Sequence, residues 1–186
     1  MMSFARYIPN AISIIRLISI IPTLWLFLRG ELFWTLILMM ASTISDGLDG
    51  YLARKFNLAS RIGSMLDPIA DKVLISTFFI VYAFYNFIPL ELMIIVIGRD
   101  LLILTGYINL RLIEGPFDAK PDPLSKVNTF VEFIFILLIV VNLLLDLNAL
   151  VVETFAGLVI ALSLLSLIKY VLIWSERVLR ALRLVN

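Results

Sequence analysis

The stretch SDGLDGYLARKFNLASRIGSMLDPIADK, residues 45–72, places four aspartates between long apolar segments. They are Asp46, Asp49, Asp67 and Asp71. If the flanking segments cross a bilayer, each carboxylate costs roughly 2.5–3.5 kcal/mol near the bilayer centre. The four must therefore be neutralised or solvated, and the way this happens decides what kind of protein the chain is.

Helical spacing gathers these aspartates on two stripes. Residues at intervals of three and four lie on one face of an α-helix. The first stripe contains Asp46, Asp49, Gly50, Ala53 and Arg54. The second stripe contains Gly63, Asp67 and Asp71. The connection between the two helices is short, which predicts antiparallel neighbours whose stripes face each other across a narrow cleft.

Four converging carboxylates repel one another unless a cation lies among them. Ligand sets made only of oxygen favour Mg²⁺, Mn²⁺ or Ca²⁺ over zinc or copper. The small residues leave room for a flat ligand, and Arg54 suits a phosphate. Other interpretations stay open: the aspartates as interfacial charges or structural ion pairs, the small residues as helix-packing contacts, and Arg54 as the partner of Asp46 or Asp49.

The composition is that of an integral membrane protein. Of the 186 residues, 62% are hydrophobic and only 16% are charged, whereas a soluble domain is less than half apolar and about a quarter charged. The net charge of +1 predicts no nucleic-acid partner. Cys and His are both absent, which excludes disulfides, thiolate nucleophiles, imidazole bases and the usual zinc sites.

Six segments have the length and apolarity of a membrane span, which is about 20 residues. They are residues 7–29, 31–55, 63–86, 88–113, 124–146 and 149–175. The predicted fold class is therefore all-α integral membrane, with six transmembrane helices in a single membrane domain, residues 1–186. The first segment is interpreted as a retained span, and the tail after 175 as an amphipathic continuation of the last helix at the interface.

The basic residues predict the orientation. They concentrate at both termini and in the second and fourth connections, while the third and fifth connections have none. Basic loops stay on the cytoplasmic side, so both termini are expected to be cytoplasmic. The two aspartate stripes then lie at the cytoplasmic ends of helices 2 and 3, which is where the active site is predicted.

A family resemblance follows from these residues. The segment DGLDGYLAR, residues 46–54, is followed at fixed spacing by Gly63, Asp67 and Asp71. This pattern resembles the signature of the CDP-alcohol phosphotransferase family at every fixed position. The segments PNAISIIR, residues 9–16, and GSMLDPIADKVL, residues 63–74, are similar to the branch of phosphatidylglycerophosphate and cardiolipin synthases. The resemblance extends over nearly the whole chain and is strongest in residues 45–75.

The resemblance implies a membrane enzyme that moves a phosphatidyl group from CDP-diacylglycerol to an alcohol and releases CMP. It implies a two-metal centre of Mg²⁺ or Mn²⁺, with Asp71 also acting as the catalytic base. The implied metal ligands are Asp46, Asp49, Asp67 and Asp71. The implied CDP-binding residues are Asp46, Asp49, Gly50, Ala53, Arg54 and Gly63. It further implies a homodimer, and a bacterial-type inner membrane is the expected location.

Three basic residues are the predicted acceptor ligands. Arg99 lies mid-span, Lys126 opens the fifth span and Arg16 lies in the first; a mid-membrane arginine is a functional candidate by default. A buried pair with Asp100 is the alternative for Arg99, although adjacent helix positions do not face each other.

Two short segments bear on the acceptor alcohol. GRD at 98–100 and SKVNT at 125–129 resemble the eukaryotic-type cardiolipin synthases, whose acceptor is phosphatidylglycerol. Phosphatidylglycerophosphate synthases usually have an Arg-Glu pair at the first place and a Gly-Lys start at the second, and the chain departs from both. Phosphatidylglycerol is therefore the predicted acceptor, with glycerol 3-phosphate as the close alternative.

Two alternatives from other classes also account for intramembrane charge. A cation or proton transporter places carboxylates in the membrane too, but it predicts polar residues through the full bilayer depth, whereas residues 73–90 carry no charge. A noncatalytic scaffold accounts for the small residues and leaves the four aspartates without a role.

Overall fold

The computed structural model describes residues 8–55, 63–114 and 122–185, and within these ranges the chain is helical with no β-strand. The described residues form six helices in chain order: α1 (Ile8–Leu28), α2 (Leu32–Lys55), α3 (Gly63–Phe84), α4 (Leu90–Glu114), α5 (Pro123–Leu145) and α6 (Ala149–Val185). The all-helical prediction is confirmed for this part of the chain.

The helix bounds match the six predicted segments closely, except at the C-terminus. Helix α6 has 37 residues and continues to Val185 without a break. At the usual rise per residue it is about 55 Å long, well beyond the roughly 30 Å of a hydrocarbon core. The helical character of the C-terminal tail is thus confirmed, while its place at the membrane interface stays a prediction.

Within the part of the chain that the structure describes, two helices are long and apolar enough to cross a membrane, Pro123–Leu145 and Ala149–Arg177. Large apolar side chains also point outward elsewhere, for example Ile21 and Leu112, which are 71% and 78% exposed. Exposed apolar surface of this kind is costly in water and favourable in lipid. A count of six spans stays a prediction.

The chain divides into two compact units: residues Met1–Val81 with Ile136–Leu147, and residues Tyr82–Phe135 with Asn148–Asn186. In the first unit, helices α1 and α2 pack together, and the hydroxyl oxygens of Ser19 and Ser42 lie 3.4 Å apart between them. Phe27 of α1 meets Phe78 of α3 edge to face, with ring centroids 6.0 Å apart. A single membrane domain over residues 1–186 stays a prediction.

In the second unit, α4 packs along α6. The buried face of α4 includes Leu92, Val96 and Arg99, whose spacing of four and three residues is that of one helical stripe. Gly106, further along α4, lies close to Trp174 of α6, since a Cβ added there would stand 3.8 Å from its Cδ1 atom. The stripe that buries apolar residues on α4 therefore also buries an arginine.

Among the helix ends that the structure describes, three are followed by a left-handed residue, and backbone N–H groups there bond to carbonyl groups of the last turn. Gly30, with φ of +77°, donates its N–H to Phe27, and Glu31 donates to Leu26, which is the Schellman pattern of a helix C-terminus. Asn86 ends α3 in the same way. Asp146 ends α5 through a single bond to Asn142. Asn148 then caps α6 by accepting the N–H of Leu150 at 2.9 Å.

Candidate functional site

The predicted metal and CDP-binding residues lie on helices, as their spacing requires. The backbone of α2 is helical through residues 46–54, and that of α3 through residues 63–71. Their side chains fall outside the described part of the structure, so the convergence of the four carboxylates stays a prediction. Among the residues whose side chains are described, no cluster of three acidic groups suitable for a metal occurs.

The described side chains reveal a polar site around Arg99, which is 1% exposed. Its Nη2 atom donates to the hydroxyls of Ser125 on α5 and Ser166 on α6, both at 2.7 Å. Its Nη1 atom donates to Asp100 at 2.5 Å. The Nε atom is buried and has no hydrogen-bond partner among the described residues. One arginine therefore connects α4, α5 and α6 inside the second unit.

The contact with Asp100 corrects one expectation. Neighbouring positions on a helix do not face each other, yet Arg99 and Asp100 form an ion pair. The long arginine side chain reaches the carboxylate of its neighbour, and a buried guanidinium is costly unless an opposite charge lies beside it. The alternative of a buried pair is therefore the arrangement that the structure contains, and the acceptor role of Arg99 stays a prediction.

The start of α5 carries a second charged contact. Pro123 is the first residue of α5, and the Asp122 carbonyl accepts the N–H of Lys126 at 3.2 Å, so Asp122 occupies the N-cap position. Its side-chain Oδ1 accepts from Lys169 Nζ at 2.5 Å. Asp122 is 11% exposed and Lys169 46%. Lys126 itself is exposed, while Arg16 lies on α1 with its side chain outside the described part.

A fully buried network lies deeper between α5 and α6. Asn128 Nδ2 donates to Glu132 Oε1 at 2.6 Å, and Ser163 Oγ lies 3.3 Å from Asn128 Oδ1 and 3.4 Å from Glu132 Oε1. All three residues have no exposed surface. Buried polar groups in a span are stable only when they pair with one another, so this network holds the register of the two helices.

Three of these polar residues were missed by sequence reasoning: Glu132, Ser163 and Ser166. The signal was available, because Ser125, Asn128 and Glu132 repeat every three or four residues, as do Ser163 and Ser166 with Lys169 and Tyr170. Such spacing places each set on one helical face. The residue pairs between helices could not be found in the same way, since they depend on which faces meet.

Comparison with known proteins agrees with the sequence pattern. A sequence model of the CDP-alcohol phosphatidyltransferase family matches residues 6–179, which is nearly the whole chain and includes both aspartate stripes. The chain belongs to this family. It is therefore a transferase of phospholipid biosynthesis, and the family is membrane-associated.

Individual relatives carry two different names. A CDP-diacylglycerol–glycerol-3-phosphate 3-phosphatidyltransferase of Aquifex aeolicus is 29% identical over 96% of this chain and 97% of its own length. The protein of the same name from Bacillus subtilis is 31% identical over 68% of this chain and 72% of its own length. A CMP-forming cardiolipin synthase of Rattus norvegicus is 35% identical over 69% of this chain. The matched region spans about half, 48%, of the length of the rat protein.

Proposed function

We propose that this chain transfers a phosphatidyl group from CDP-diacylglycerol to a glycerol-type acceptor and releases CMP. The observation that carries the proposal is the family match over residues 6–179, which contains the full pattern of aspartates and small residues at 46–71. A transporter of cations or protons is less well supported, because the family that matches is one of transferases and residues 73–90 carry no charge.

The two aspartate stripes are the proposed metal site. Four carboxylates form an all-oxygen donor set of the kind that Mg²⁺ and Mn²⁺ prefer, and helical backbone at residues 46–49 and 67–71 fits that role. We assign Asp46, Asp49, Asp67 and Asp71 to two divalent ions. When bound, these ions would neutralise charge on the pyrophosphate and on the departing CMP.

Asp71 is the proposed base. A carboxylate beside the acceptor hydroxyl accepts its proton as the hydroxyl oxygen attacks the phosphatidyl phosphorus, and the bond from that phosphorus to the CMP oxygen breaks. The chain has no His or Cys that could take this role. The CDP portion is assigned to Gly50, Ala53, Arg54 and Gly63, because glycine and alanine admit a flat ligand and arginine binds phosphate.

The acceptor phosphate is assigned to Arg99, Lys126 and Arg16. Arg99 supports this assignment best, since its buried guanidinium keeps Nε without a partner among the described residues. Ser125, which accepts from Arg99, lies in the first turn of α5. The predicted topology puts that end of α5 at the cytoplasmic face, where the aspartate stripes are also predicted.

Phosphatidylglycerol is the proposed acceptor, which would make the chain a cardiolipin synthase. The segments at 98–100 and 125–129 and the 35% identity to the rat cardiolipin synthase support this choice. Glycerol 3-phosphate is the second candidate, supported by the relative from Aquifex aeolicus, which the chain matches over 97% of its length.

The proposed setting is a bacterial-type inner membrane, crossed six times, with both termini cytoplasmic. The two apolar helices and the family membership support a membrane location. A homodimer is proposed from the family resemblance alone.

The acceptor is tested by offering alcohols in parallel. Purified protein in detergent receives CDP-diacylglycerol and Mg²⁺ or Mn²⁺, together with glycerol 3-phosphate, phosphatidylglycerol or inositol phosphate. We expect CMP release that depends on phosphatidylglycerol. Release only with glycerol 3-phosphate would establish the second candidate, and CMP release that needs no added alcohol would contradict transfer.

A further inference from the structure

The hydroxyl groups of Ser125 and Ser166 meet at one nitrogen of one arginine. Each oxygen accepts a hydrogen bond from Arg99 Nη2 at 2.7 Å, and an –NH₂ group can donate to two acceptors at once. The serines belong to different helices, α5 and α6. The guanidinium is therefore fixed from two sides, while Asp100 holds the other terminal nitrogen.

We infer that Ser125 and Ser166 are positioning residues that fix the Arg99 guanidinium for recognition of the acceptor's phosphate. This inference rests on the proposed acceptor role of Arg99. Neither serine is assigned a contact with the reacting atoms. Their effect passes through the orientation of Arg99, whose Nε donor has no partner among the described residues.

Three observations separate this role from ordinary packing. First, ordering an arginine side chain costs much conformational entropy. Two hydrogen bonds to one nitrogen offset this cost and hold the guanidinium in one orientation. Second, both contacts are short and made to a charged donor, the stronger class of hydrogen bond. Third, Ser166 is completely buried, so water does not replace its hydroxyl when it is removed.

The same helix offers a matched control. Ser163 lies one turn before Ser166 on α6, is equally buried, and bonds to Asn128 and Glu132 rather than to Arg99. Replacing either serine by alanine removes one fully buried hydroxyl from α6. Only Ser166→Ala removes a contact with the guanidinium.

The test measures KM for both substrates, and kcat, in purified wild type, Ser166→Ala, Ser125→Ala and Ser163→Ala. Glycerol 3-phosphate and phosphatidylglycerol are tested separately, because both carry the phosphate oxygens that Arg99 would bind. We expect Ser166→Ala and Ser125→Ala each to raise the acceptor KM about tenfold, the effect of one hydrogen bond to a charged group. The KM for CDP-diacylglycerol should stay within about twofold, as should all constants of Ser163→Ala.

Coupling to Arg99 is tested with a double variant. Arg99→Lys keeps the charge but has no planar fork to reach both serines. If the serines act through Arg99, adding Ser166→Ala to Arg99→Lys changes the acceptor KM little further, a nonadditive result. Ser166→Thr, which restores a hydroxyl, should recover most of the affinity, and Ser125→Ala gives the same information if Ser166 variants do not fold.

Failure of the inference and failure of the proposed function give different results. If wild type transfers to an acceptor but Ser125→Ala and Ser166→Ala behave like Ser163→Ala, the serines have only a packing role and the inference is wrong. Additive effects with Arg99→Lys would also overturn it. If wild type releases no CMP with any acceptor, the proposed function itself fails.

Discussion

At the scale of single residues, the sequence identifies Arg99 as a candidate but does not identify the residues that bind it. Arg99 stands out because an arginine in the middle of an apolar segment demands a partner. Its partners Ser125 and Ser166 do not stand out, since serine is common in membrane helices and the contacts cross between three helices. Helical spacing argued against a pair between Arg99 and Asp100, because it describes the directions of the Cβ atoms and not how far a long side chain reaches.

Replacing Asp71 by asparagine should abolish turnover while the protein stays folded. Asparagine keeps the size of the side chain but cannot accept the hydroxyl proton, and it is a poorer ligand for a divalent ion. CMP release and the detergent melting curve are measured together. Asp146→Asn is the matched control, because asparagine is well tolerated in the left-handed conformation of that residue. A normal rate for Asp71→Asn would show that Asp71 is not the base.

Replacing Arg99 by alanine should raise the acceptor KM by roughly ten- to a hundredfold, because charge-assisted hydrogen bonds to the acceptor phosphate are lost. The KM for CDP-diacylglycerol should change much less. Arg111→Ala is the control, since it removes a positive charge from an exposed position of the same helix. Equal increases in both KM values would count against an acceptor role for Arg99.

At the scale of elements, the six helices could be predicted because each of six segments has about 20 mostly apolar residues, the length of a membrane-spanning helix. Gly30 ends α1 in the left-handed region, which glycine adopts without steric cost. Asn86 and Asp146 end α3 and α5 in the same region, which residue type alone does not predict, because most asparagines and aspartates do not adopt it. Helix α6 continues past the predicted span, as expected for the tail, because residues 176–184 are mostly Leu, Arg, Ala and Glu, which favour helix.

Gly30→Ala should destabilise the protein even though open space surrounds the position. With φ at +77°, a Cβ atom costs about 1–2 kcal/mol in the left-handed region. Gly157→Ala is the control: it also has open space but lies inside α6, so alanine should be neutral or stabilise by up to about 1 kcal/mol. Equilibrium unfolding in mixed detergent measures both, and equal effects would show that backbone strain at Gly30 is unimportant.

At the scale of the whole molecule, the family could be predicted because its pattern at 46–71 is fixed in spacing as well as in residue type. The acceptor could not, because the relatives divide between two names. The number of spans also stays a prediction. Composition identifies an apolar helix. Whether that helix crosses the membrane also depends on how its charged residues, such as Arg99 and Asp100, are shielded from lipid.

The predicted topology has a direct test in sealed inverted vesicles. Single cysteines are introduced at Ser3 and Asn186, which is unambiguous because the chain has no native Cys. Both should react with a membrane-impermeant maleimide from the cytoplasmic side, since basic residues retain both termini there. A cysteine at Asn86, in the connection between α3 and α4, should be protected until the vesicles are opened. Labelling of only one terminus would require an odd number of spans.

The proposed reaction depends on two neighbouring helices, α2 and α3, whose aspartates together bind divalent ions that activate CDP-diacylglycerol. The most direct measurement titrates Mn²⁺ into purified protein with CDP-diacylglycerol and an acceptor, phosphatidylglycerol or glycerol 3-phosphate. Bound Mn²⁺ is followed by electron paramagnetic resonance, and CMP release is measured in the same samples. We predict saturable binding that rises together with CMP release, and loss of both in Asp46→Asn and in Asp67→Asn, one from each helix. CMP release that persists in chelator, or Mn²⁺ binding unchanged in both variants, would contradict the claim.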